Sequence, residues 1–282
     1  MRLEQISCPY CKGEDSRPWA EDNGYSAVQC TSCGFVFVNP RPPLDGIEEA
    51  TKTGLHETEA GKLDVVGPLG FRRAKVKMFK ERLRELFPGD ALFGREVRWL
   101  DIGCGFGELL VAVEDLVAPG SVIEGVEPSE PKARVARQRG LRVKGGTLEE
   151  VDRNYSFLSM INVFSHLPQP RSFLTALPKV LEPGGRLLLV TGNGADVPPT
   201  EYPDPLFLPD HLVFAGETHV RGLLEETGFE VIRIRAYRYF LPEPAVLIMA
   251  KNAARRLLGR PTMPLRNKGP YRSMFVHARR LR

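Results

Sequence analysis

The stretch Trp99–Leu110, WLDIGCGFGELL, decides how the middle of this chain folds. An apolar run leads into Asp101, glycines follow at positions 103, 105 and 107, and then a run of helix-forming residues begins. The next apolar run, Ser121–Val126, leads directly into Glu127. Glycines let the backbone approach a ligand closely because they have no Cβ, and a carboxylate at the tip of the following strand can bind both hydroxyls of a ribose. The pattern predicts a nucleoside-containing cofactor at the carboxyl ends of parallel strands.

The glycine spacing separates two kinds of cofactor. A dinucleotide fingerprint reads G-x-G-x-x-G and places a helix amino end against a pyrophosphate. This chain reads D-x-G-x-G-x-G over residues 101–107. The spacing and the missing pyrophosphate site both oppose a dehydrogenase, and an acid ahead of the glycines suits a cofactor with a cationic amino acid tail.

This stretch resembles motif I of the class I S-adenosylmethionine-dependent methyltransferases. In the same resemblance Glu127 corresponds to the acid that binds the ribose. The resemblance implies S-adenosylmethionine as the cofactor. The residues expected to hold it are Asp101, Gly103, Cys104, Gly105, Gly107, Glu127, Pro128, Thr147, Leu148 and Asn162.

The composition is that of a globular protein with one core of ordinary size and small additions. The chain has 282 residues, 42% of them hydrophobic and 26% charged, and its net charge of +4 indicates no particular partner. No apolar run reaches the roughly 18–20 residues that a membrane span needs. The opening MRLEQISCPY lacks the apolar core of a secretory signal. We therefore expect a cytoplasmic protein without a transmembrane segment.

Four of the five cysteines form two pairs with the spacing of a zinc ribbon. Cys8 and Cys11 form CPYC, Cys30 and Cys33 form CTSC, and eighteen residues separate the pairs. Each pair can chelate from a tight turn, and four thiolates fill the tetrahedral coordination of Zn²⁺. Disulfides are the alternative, which a reducing compartment disfavours. We interpret the site as structural zinc, because no coordination position remains for water or substrate.

Prolines and changes in periodicity divide the chain into segments. Pro40–Pro43 ends the first module, and Phe71–Phe87 has the apolar spacing of an amphipathic helix. The predicted segments are a zinc ribbon over 1–45, a helical linker or cap over 46–95, a cofactor-binding core over 96–240 with an acceptor lid over 192–216, a helical insertion over 241–271, and a last core strand over 272–282.

From residue 97 onward, short apolar runs alternate with helix-forming runs, which is typical of a parallel sheet with helices on both faces. The predicted fold class is α/β, a Rossmann-like, doubly wound and mostly parallel seven-stranded sheet. In the methyltransferase fold the last strand is antiparallel, so the resemblance places residues 272–282 beside the sixth strand. The other six strands are predicted at 97–100, 122–126, 141–143, 157–163, 186–190 and 229–237.

Further motifs widen the resemblance to about residues 6–236 and the final RSMFVHAR. HLPQP at 166–170, LEPGGRLLLV at 181–190 and the run at 210–231 resemble successive motifs of one methyltransferase group. That group carries an amino-terminal zinc ribbon similar to CPYC…CTSCGFVFVNPRP and includes enzymes that modify glycans and secondary metabolites. Two acids usual in the group are replaced here, by Ser156 and by Thr147 with Leu148 beside it. The adenine edge of the cofactor is therefore expected to contact backbone groups and apolar side chains rather than an acid.

A hydroxyl or carbon acceptor needs a general base, and histidine is the natural choice because its pKa lies near neutrality. His166 follows the fourth strand of the core, at the edge where ligands bind. His211 matches the histidine of the group's E-H-L signature, with Asp210 in the acid position. These two are the candidate catalytic residues, and a capping or loop-ordering role is the alternative for each. His219 is expected to be exposed, and the sequence around His56 and His277 shows no associated motif.

The segments that would bind the acceptor show the weakest sequence patterns. Tyr202 lies in a proline-rich run within the lid, where loops carry specificity. A basic amphipathic helix is predicted at 243–258, which we expect to cover the acceptor pocket or a homodimer surface rather than a membrane or an acidic partner.

The leading prediction is a methyltransferase that acts on a hydroxyl, or second a carbon, of a small molecule or glycan. An RNA methyltransferase that uses the ribbon for binding is one alternative, although nucleic acid is an unlikely partner because an RNA-binding ribbon should be basic. Within residues 8–33 the acids Glu14, Asp15, Glu21 and Asp22 outnumber Lys12 and Arg17. A non-catalytic cofactor-binding scaffold is the other alternative.

Overall fold

The computed structural model describes residues 2–59, 61–66, 70–88, 92, 94–202, 205–238, 245–257 and 272–281. The elements of the amino-terminal part are β1 (Ser16–Asp22), β2 (Tyr25–Cys30), β3 (Val36–Val38), α1 (Leu44–Thr53), β4 (Leu55–Thr58), β5 (Gly61–Asp64) and α2 (Arg73–Leu86). The remaining elements are β6 (Arg98–Ile102), α3 (Glu108–Glu114), β7 (Val122–Glu127), α4 (Glu130–Gln138), β8 (Val143–Gly145), β9 (Tyr155–Ile161), α5 (Pro170–Ala176), β10 (Leu181–Gly192), β11 (Val213–Phe214), α6 (Glu217–Glu226), β12 (Phe229–Arg238), α7 (Ala245–Leu257) and β13 (Arg272–Arg280).

Seven strands of the described chain form the central sheet, in the order β12-β13-β10-β9-β6-β7-β8. The neighbours from β8 to β10 pair in parallel. β13 lies between β10 and β12 and is antiparallel to both. The predicted α/β fold with an antiparallel last strand is confirmed. The parallel strands bring their carboxyl ends to one edge of the sheet, where a ligand is expected.

Buried apolar side chains hold the centre of the sheet. Trp99 on β6 is fully buried and stacks on Phe157 of β9, with ring centroids 4.8 Å apart and planes 4° from parallel. Leu187, Leu188 and Leu189 of β10 are also fully buried. Three consecutive buried residues place β10 in the middle of the sheet, covered on both faces, as a continuous apolar run predicts.

β10 begins earlier than the sequence indicates. The strand was predicted at 186–190, yet it starts at Leu181 and includes the run LEPGG. Leu181 pairs with Tyr155, and the register then shifts before Arg186 pairs with Phe157. The proline and glycines form an irregularity inside the strand, as is usual where such residues interrupt a ladder.

A second sheet joins the segment that carries the four cysteines to residues 192–216, the segment predicted as the acceptor lid. Its order is β1-β2-β3-β11, so the last strand comes from residues 213–214 of the lid. Val213 pairs with Phe37 and Phe214 with Val36. The side chain of Asn23 also donates a 2.8 Å hydrogen bond to the carbonyl of Leu208. The ribbon and the lid therefore form one layer, a connection that the sequence did not indicate.

The segment between ribbon and core contains more strand than expected. A helical linker or cap was predicted over residues 46–95, but after α1 the chain forms a two-stranded antiparallel hairpin of β4 and β5. The helix predicted at 71–87 is present as α2. Its residues Val76, Phe79, Leu83 and Leu86 are buried as the apolar spacing predicts.

The carboxyl-terminal insertion is described only over α7. That helix falls within the predicted 243–258, and its Met249 and Leu257 side chains are exposed. The rest of the predicted insertion, residues 241–244 and 258–271, lies outside the described residues. In the part of the chain that the structure covers, no helix has both the length and the apolar character needed to cross a membrane.

Candidate active site

The glycine loop between β6 and α3 turns sharply at the carboxyl edge of the sheet. Gly103, Gly105 and Gly107 have φ values of 65°, 57° and 86°, which L side chains rarely adopt. A Cβ on Gly103 would lie 2.6 Å from Val163, and one on Gly107 would lie 2.2 Å from Leu141. A Cβ on Gly105 would meet no atom within 4 Å. The outer two glycines therefore allow close packing within the protein, while Gly105 is the one that faces open space.

The side chain of Glu127 is fixed beside this open glycine. Its Oε2 accepts a 2.7 Å hydrogen bond from the main-chain N–H of Gly105, and its Oε1 accepts a 3.0 Å bond from that of Ser129. The residue is only 5% exposed. Two backbone donors thus orient the carboxylate at the end of β7, the place where an acid can bind a ribose.

Asp101 lies deeper, at the carboxyl end of β6. The indole of Trp99 donates to Ser159 at 2.8 Å, and Ser159 donates to Oδ1 of Asp101 at 2.6 Å. Burial raises the pKa of the Asp101 carboxyl to about 7, and the nearby Glu127 and Glu108 raise it as well. A cationic group would relieve this repulsion, since an opposite charge favours the ionised form of a carboxyl.

The other predicted cofactor residues lie around the same edge. Cys104 is 6% exposed, and burial raises the pKa of its thiol well above the usual range, so it is a packed residue rather than a nucleophile. Pro128 follows β7 and is half-buried. Thr147 is half-buried, its hydroxyl donates to Glu149, and the neighbouring Leu148 is in the core. Asn162 is exposed after β9, with a φ of 56°.

A small cavity of about 90 Å³ lies beyond the carboxyl ends of β9 and β10. Asn162 lines it from β9, Thr191 from β10, and His211 from the lid. Tyr202 and Phe214 form an aromatic wall, with ring centroids 5.3 Å apart. The cavity thus combines apolar surface with a few polar groups, which is the usual character of a small-molecule site.

The ribbon supports the aromatic wall from behind. Trp19 of β1 packs on Tyr202 and on Phe214, with ring centroids 5.8 Å and 5.5 Å apart. His219 of α6, which was expected to be exposed, is only 7% exposed, because its Nε2 donates to the carbonyl of Cys33 at 2.9 Å. The amphipathic pattern of α6 could not show that the ribbon covers this face of the helix.

The two candidate catalytic histidines lie next to each other. The ring centroids of His166 and His211 are 4.9 Å apart. Nδ1 of His166 donates to the carbonyl of Asp210, and Nδ1 of His211 donates to that of Leu206, both at 2.8 Å. A carbonyl can only accept, so each Nδ1 carries the proton and each Nε2 is left with a lone pair.

The side chain of Asp210 brings a third histidine to this pair. Its Oδ1 lies 3.1 Å from Nδ1 of His166 and 3.1 Å from Nε2 of His56. His56 is on β4 and 7% exposed. His56 was not singled out from the sequence, because it lies on a short strand far from Asp210 in the chain and no local pattern indicates that it is buried.

The environment separates the pKa values of the two candidate bases. Burial works against the charged form of both rings. The Asp210 carboxylate nevertheless raises the pKa of His166 above its ordinary value. Burial and the neighbouring His166 lower the pKa of His211 to about 4. The pKa of Asp210 is held well below its usual range by His166, against the effect of its own burial. His211 is therefore neutral at pH 7.

The four paired cysteines come together in the ribbon. The Sγ atoms of Cys8 and Cys33 are 3.7 Å apart, and those of Cys11 and Cys30 are 3.6 Å apart. All four Sγ atoms lie within 4.8 Å of one another. Tetrahedral coordination with Zn–S bonds of about 2.3 Å places ligand atoms roughly 3.8 Å apart. The donor set and its spacing fit a zinc ribbon.

Comparison with known proteins agrees with this geometry. The family described as "Methyltransferase domain" matches residues 70–234, more than half of the chain. The ubiquinone biosynthesis O-methyltransferase of Vibrio atlanticus is 28% identical over 114 residues, which are 37% of this chain and 46% of that protein. The match therefore spans less than half the length of this curated relative.

Solved structures share the fold at low sequence identity. A putative methyltransferase from Bacillus halodurans is 19% identical, with a TM-score of 0.53 over 72% of this chain and 99% of that one. The (4+2)-cyclase SpnF is 20% identical, with a TM-score of 0.51 over 76% of this chain and 84% of that one. The fold alone does not fix the reaction, since one of these proteins is named a cyclase. The family match shows the family, and the glycine loop and its acid agree with it: the chain belongs to the class I S-adenosylmethionine-dependent methyltransferases.

Proposed function

We propose that this enzyme methylates a hydroxyl of a small molecule or a sugar, with a carbon acid as the second choice of acceptor, in natural-product or glycan biosynthesis. The observation that carries the proposal is the position of His211, a neutral histidine in the wall of a cavity at the cofactor edge of the sheet. The similarity to an O-methyltransferase of Vibrio atlanticus supports oxygen over carbon.

The cofactor site is assigned to the glycine loop and its surroundings. Glu127 would bind the ribose hydroxyls, and Gly105 would let the backbone approach the ligand, since nothing within 4 Å would oppose a Cβ there. Asp101 would provide negative charge for the cationic part of the cofactor. When bound, S-adenosylmethionine supplies a methyl group on a positively charged sulfur, and the protein's task is alignment and exclusion of water.

His211 is assigned as the base. Its Nε2 lone pair would accept the proton of the acceptor hydroxyl as the oxygen gains the methyl group. The proton then rests on an imidazole that lies beside His166 and Asp210. Because the pKa of His211 is about 4, the ring is unprotonated at neutral pH and its lone pair is free to accept. A general base works best when its pKa lies near the working pH, so the bound acceptor must raise the pKa of His211 for this residue to act as the base.

We further propose that Cys8, Cys11, Cys30 and Cys33 hold a structural Zn²⁺ ion. Burial raises the pKa of the Cys8 thiol to about 11, so only a bound cation would keep this group as a thiolate at neutral pH. Four thiolates leave no coordination position for a substrate. The ion would hold the ribbon, and the ribbon in turn supports the aromatic wall of the cavity through Trp19.

The test is transfer of a labelled methyl group from S-adenosylmethionine to panels of phenols, catechols and nucleotide sugars. We expect the wild-type enzyme to methylate a member of one panel, and His211→Gln to lower the rate by about 10²–10⁴-fold, the usual contribution of a general base. Binding of S-adenosylhomocysteine should be unchanged in the variant. A variant that retains the full rate with a hydroxyl acceptor would exclude His211 as the base.

A further inference from the structure

One carboxylate oxygen is shared by two imidazoles in the wall of the acceptor site. Oδ1 of Asp210 lies 3.1 Å from a ring nitrogen of His166 and 3.1 Å from one of His56. The two histidines come from different parts of the chain, His166 from the turn after β9 and His56 from the β4–β5 hairpin. Neither the family resemblance nor the sequence pattern assigned a role to His56.

His56 is buried in a way that needs an explanation. Its side chain is 8% exposed, and Nε2 has no well-aligned hydrogen bond among the described residues. The polar group at 3.1 Å is the Asp210 carboxylate. A buried imidazole facing a carboxylate is costly to retain unless the contact has a use, because both groups give up water.

The backbone on both sides of the contact is held in place. The carbonyl of Asp210 accepts from Nδ1 of His166, and the hydroxyl of Tyr25 in the ribbon donates to the carbonyl of Glu57, next to His56, at 2.8 Å. Asp210 and His56 are thus presented to each other by segments with separate anchors.

The cluster contains residue types that bind metals, but its geometry favours a proton network. His166, Asp210 and His211 each offer a ligand atom within 4.8 Å of the others. A metal-bound histidine uses one ring nitrogen for the metal and donates from the other. Here the carboxylate of Asp210 faces Nδ1 of His166, which already donates its proton to a carbonyl. This nitrogen has no lone pair for a metal, so any metal ligand of His166 would have to be Nε2, and the contact of Nδ1 with the Asp210 carboxylate does not need a metal.

We propose that His56 is a positioning residue of the acceptor site, which acts through Asp210 to fix His166 and, beside it, His211. The inference rests on the proposed function of the two candidate bases. Both imidazoles contact Oδ1 of Asp210, so the contact with His56 weakens the electrostatic effect of the carboxylate on His166. The groups that face His166 are the Asp210 carboxylate, the rings of His56 and His211, and the ammonium of Lys132 on α4.

The experiment is an NMR titration of the imidazole protons in the full-length, zinc-loaded protein. The chain has five histidines, so single substitutions suffice for assignment. In His56→Leu the carboxylate is left to His166 alone, and we expect the pKa of His166 to rise by about 0.5 or more, since a nearby opposite charge favours the protonated form. His56→Gln restores an N–H donor of similar reach and should return the titration toward that of the wild type.

Two controls separate this effect from general disturbance of the fold. Leu55→Ala changes the exposed neighbour on the same strand and should leave the titration of His166 unchanged. The signals of His219 and His277, which are buried elsewhere, should stay in place in every variant. If His56→Leu does not fold, Asp210→Asn in the wild-type background gives the same information, because the signals of His56 and His166 should then shift together.

Three results would overturn the proposal. The first is a titration of His166 that is identical in His56→Leu and wild type while the buried control signals are retained. The second is an Asp210→Asn spectrum in which only His166 shifts. The third is a bound metal equivalent that His56→Leu loses and Leu55→Ala keeps. None of these measurements needs cofactor or acceptor, so a failure to find methyl transfer would leave them readable.

Discussion

The main-chain N–H of Gly105 donates a 2.7 Å hydrogen bond to Oε2 of Glu127, which joins the first glycine loop of the sheet to the acid at the end of the next strand. The two residues are far apart in the chain but adjacent in the sheet, since Ile102 pairs with Val126. This contact places an open backbone position and an oriented carboxylate side by side. The glycine loop on one side of this contact and Glu127 on the other can be tested by separate substitutions.

Gly105→Ala and Gly107→Ala should affect different properties. A Cβ at position 107 would lie 2.2 Å from Leu141, so Gly107→Ala should lower the free energy of unfolding by about 2 kcal/mol or more. At position 105 the Cβ meets nothing, and only the backbone strain of about 1–2 kcal/mol remains. We expect Gly105→Ala to reduce cofactor affinity more than Gly107→Ala does, because its methyl group points to the open side. Urea unfolding and calorimetric titration with S-adenosylhomocysteine would measure the two effects; the reverse order of affinities would contradict the assignment.

Asp101 should make the ligand-free protein less stable as pH rises. Its folded pKa is about 7 and its ordinary value is 3.8, so between these pH values the folded state binds the extra proton. Its contribution to stability is therefore lost as pH rises from about 4 to 7. Asp101→Asn should raise the free energy of unfolding at pH 8 by roughly 1–3 kcal/mol and weaken cofactor binding.

Unfolding experiments at pH 5 and pH 8 would test this prediction, with Asp152→Asn as an exposed control on the surface of the core. If the wild type and Asp101→Asn show the same change in stability between the two pH values, Asp101 does not carry the raised pKa.

His211 should destabilise the protein in mild acid. Its folded pKa of about 4 lies below the ordinary 6.5, so the unfolded chain binds more protons between these values and stability falls as pH drops from 6.5 toward 4. His211→Gln removes this contribution. We expect its free energy of unfolding to fall less between pH 7 and pH 5 than that of the wild type, by on the order of 1 kcal/mol. An equal fall in both proteins would show that His211 titrates normally.

Loss of metal from the ribbon should damage the acceptor side of the site before the cofactor side. The ribbon sheet includes β11, and Trp19 packs on the Tyr202 and Phe214 rings that line the cavity. After chelation, or in Cys30→Ser, hydrogen exchange should increase at residues 205–216. Binding of S-adenosylhomocysteine should persist, because the glycine loop and Glu127 rest on the central sheet. Unchanged exchange in the lid would mean that the four cysteines do not support it.

The central sheet could be predicted because its signals are local. The run from Trp99 to Glu127 contains a strand, a glycine turn, a helix and a second strand in immediate succession, and the observed elements follow the same order. The antiparallel last strand was predicted from the family resemblance and lies beside the sixth strand, β12, as expected; the structure adds that β10 is its other neighbour.

The contacts between segments could not be predicted in this way. β11 has two residues, too few for any periodic pattern, and its partner β3 is in the ribbon. His219 and His56 are likewise buried with polar partners that lie far away in sequence, the Cys33 carbonyl and the Asp210 carboxylate. The residues next to a histidine in the sequence do not show whether a distant segment will bury it or leave it exposed to water.

Whether Glu127 and the glycine loop bind S-adenosylmethionine can be measured by thermal unfolding of the protein with S-adenosylmethionine, S-adenosylhomocysteine or NAD, in wild type and Glu127→Ala. Each tenfold excess of ligand over its dissociation constant adds about 1.4 kcal/mol to the folded state. We predict that the two adenosyl ligands stabilise the wild type, that NAD does not, and that Glu127→Ala loses most of the effect. Stabilisation by NAD alone, or an undiminished effect of the adenosyl ligands on Glu127→Ala, would show that this loop and its acid do not form the S-adenosylmethionine site.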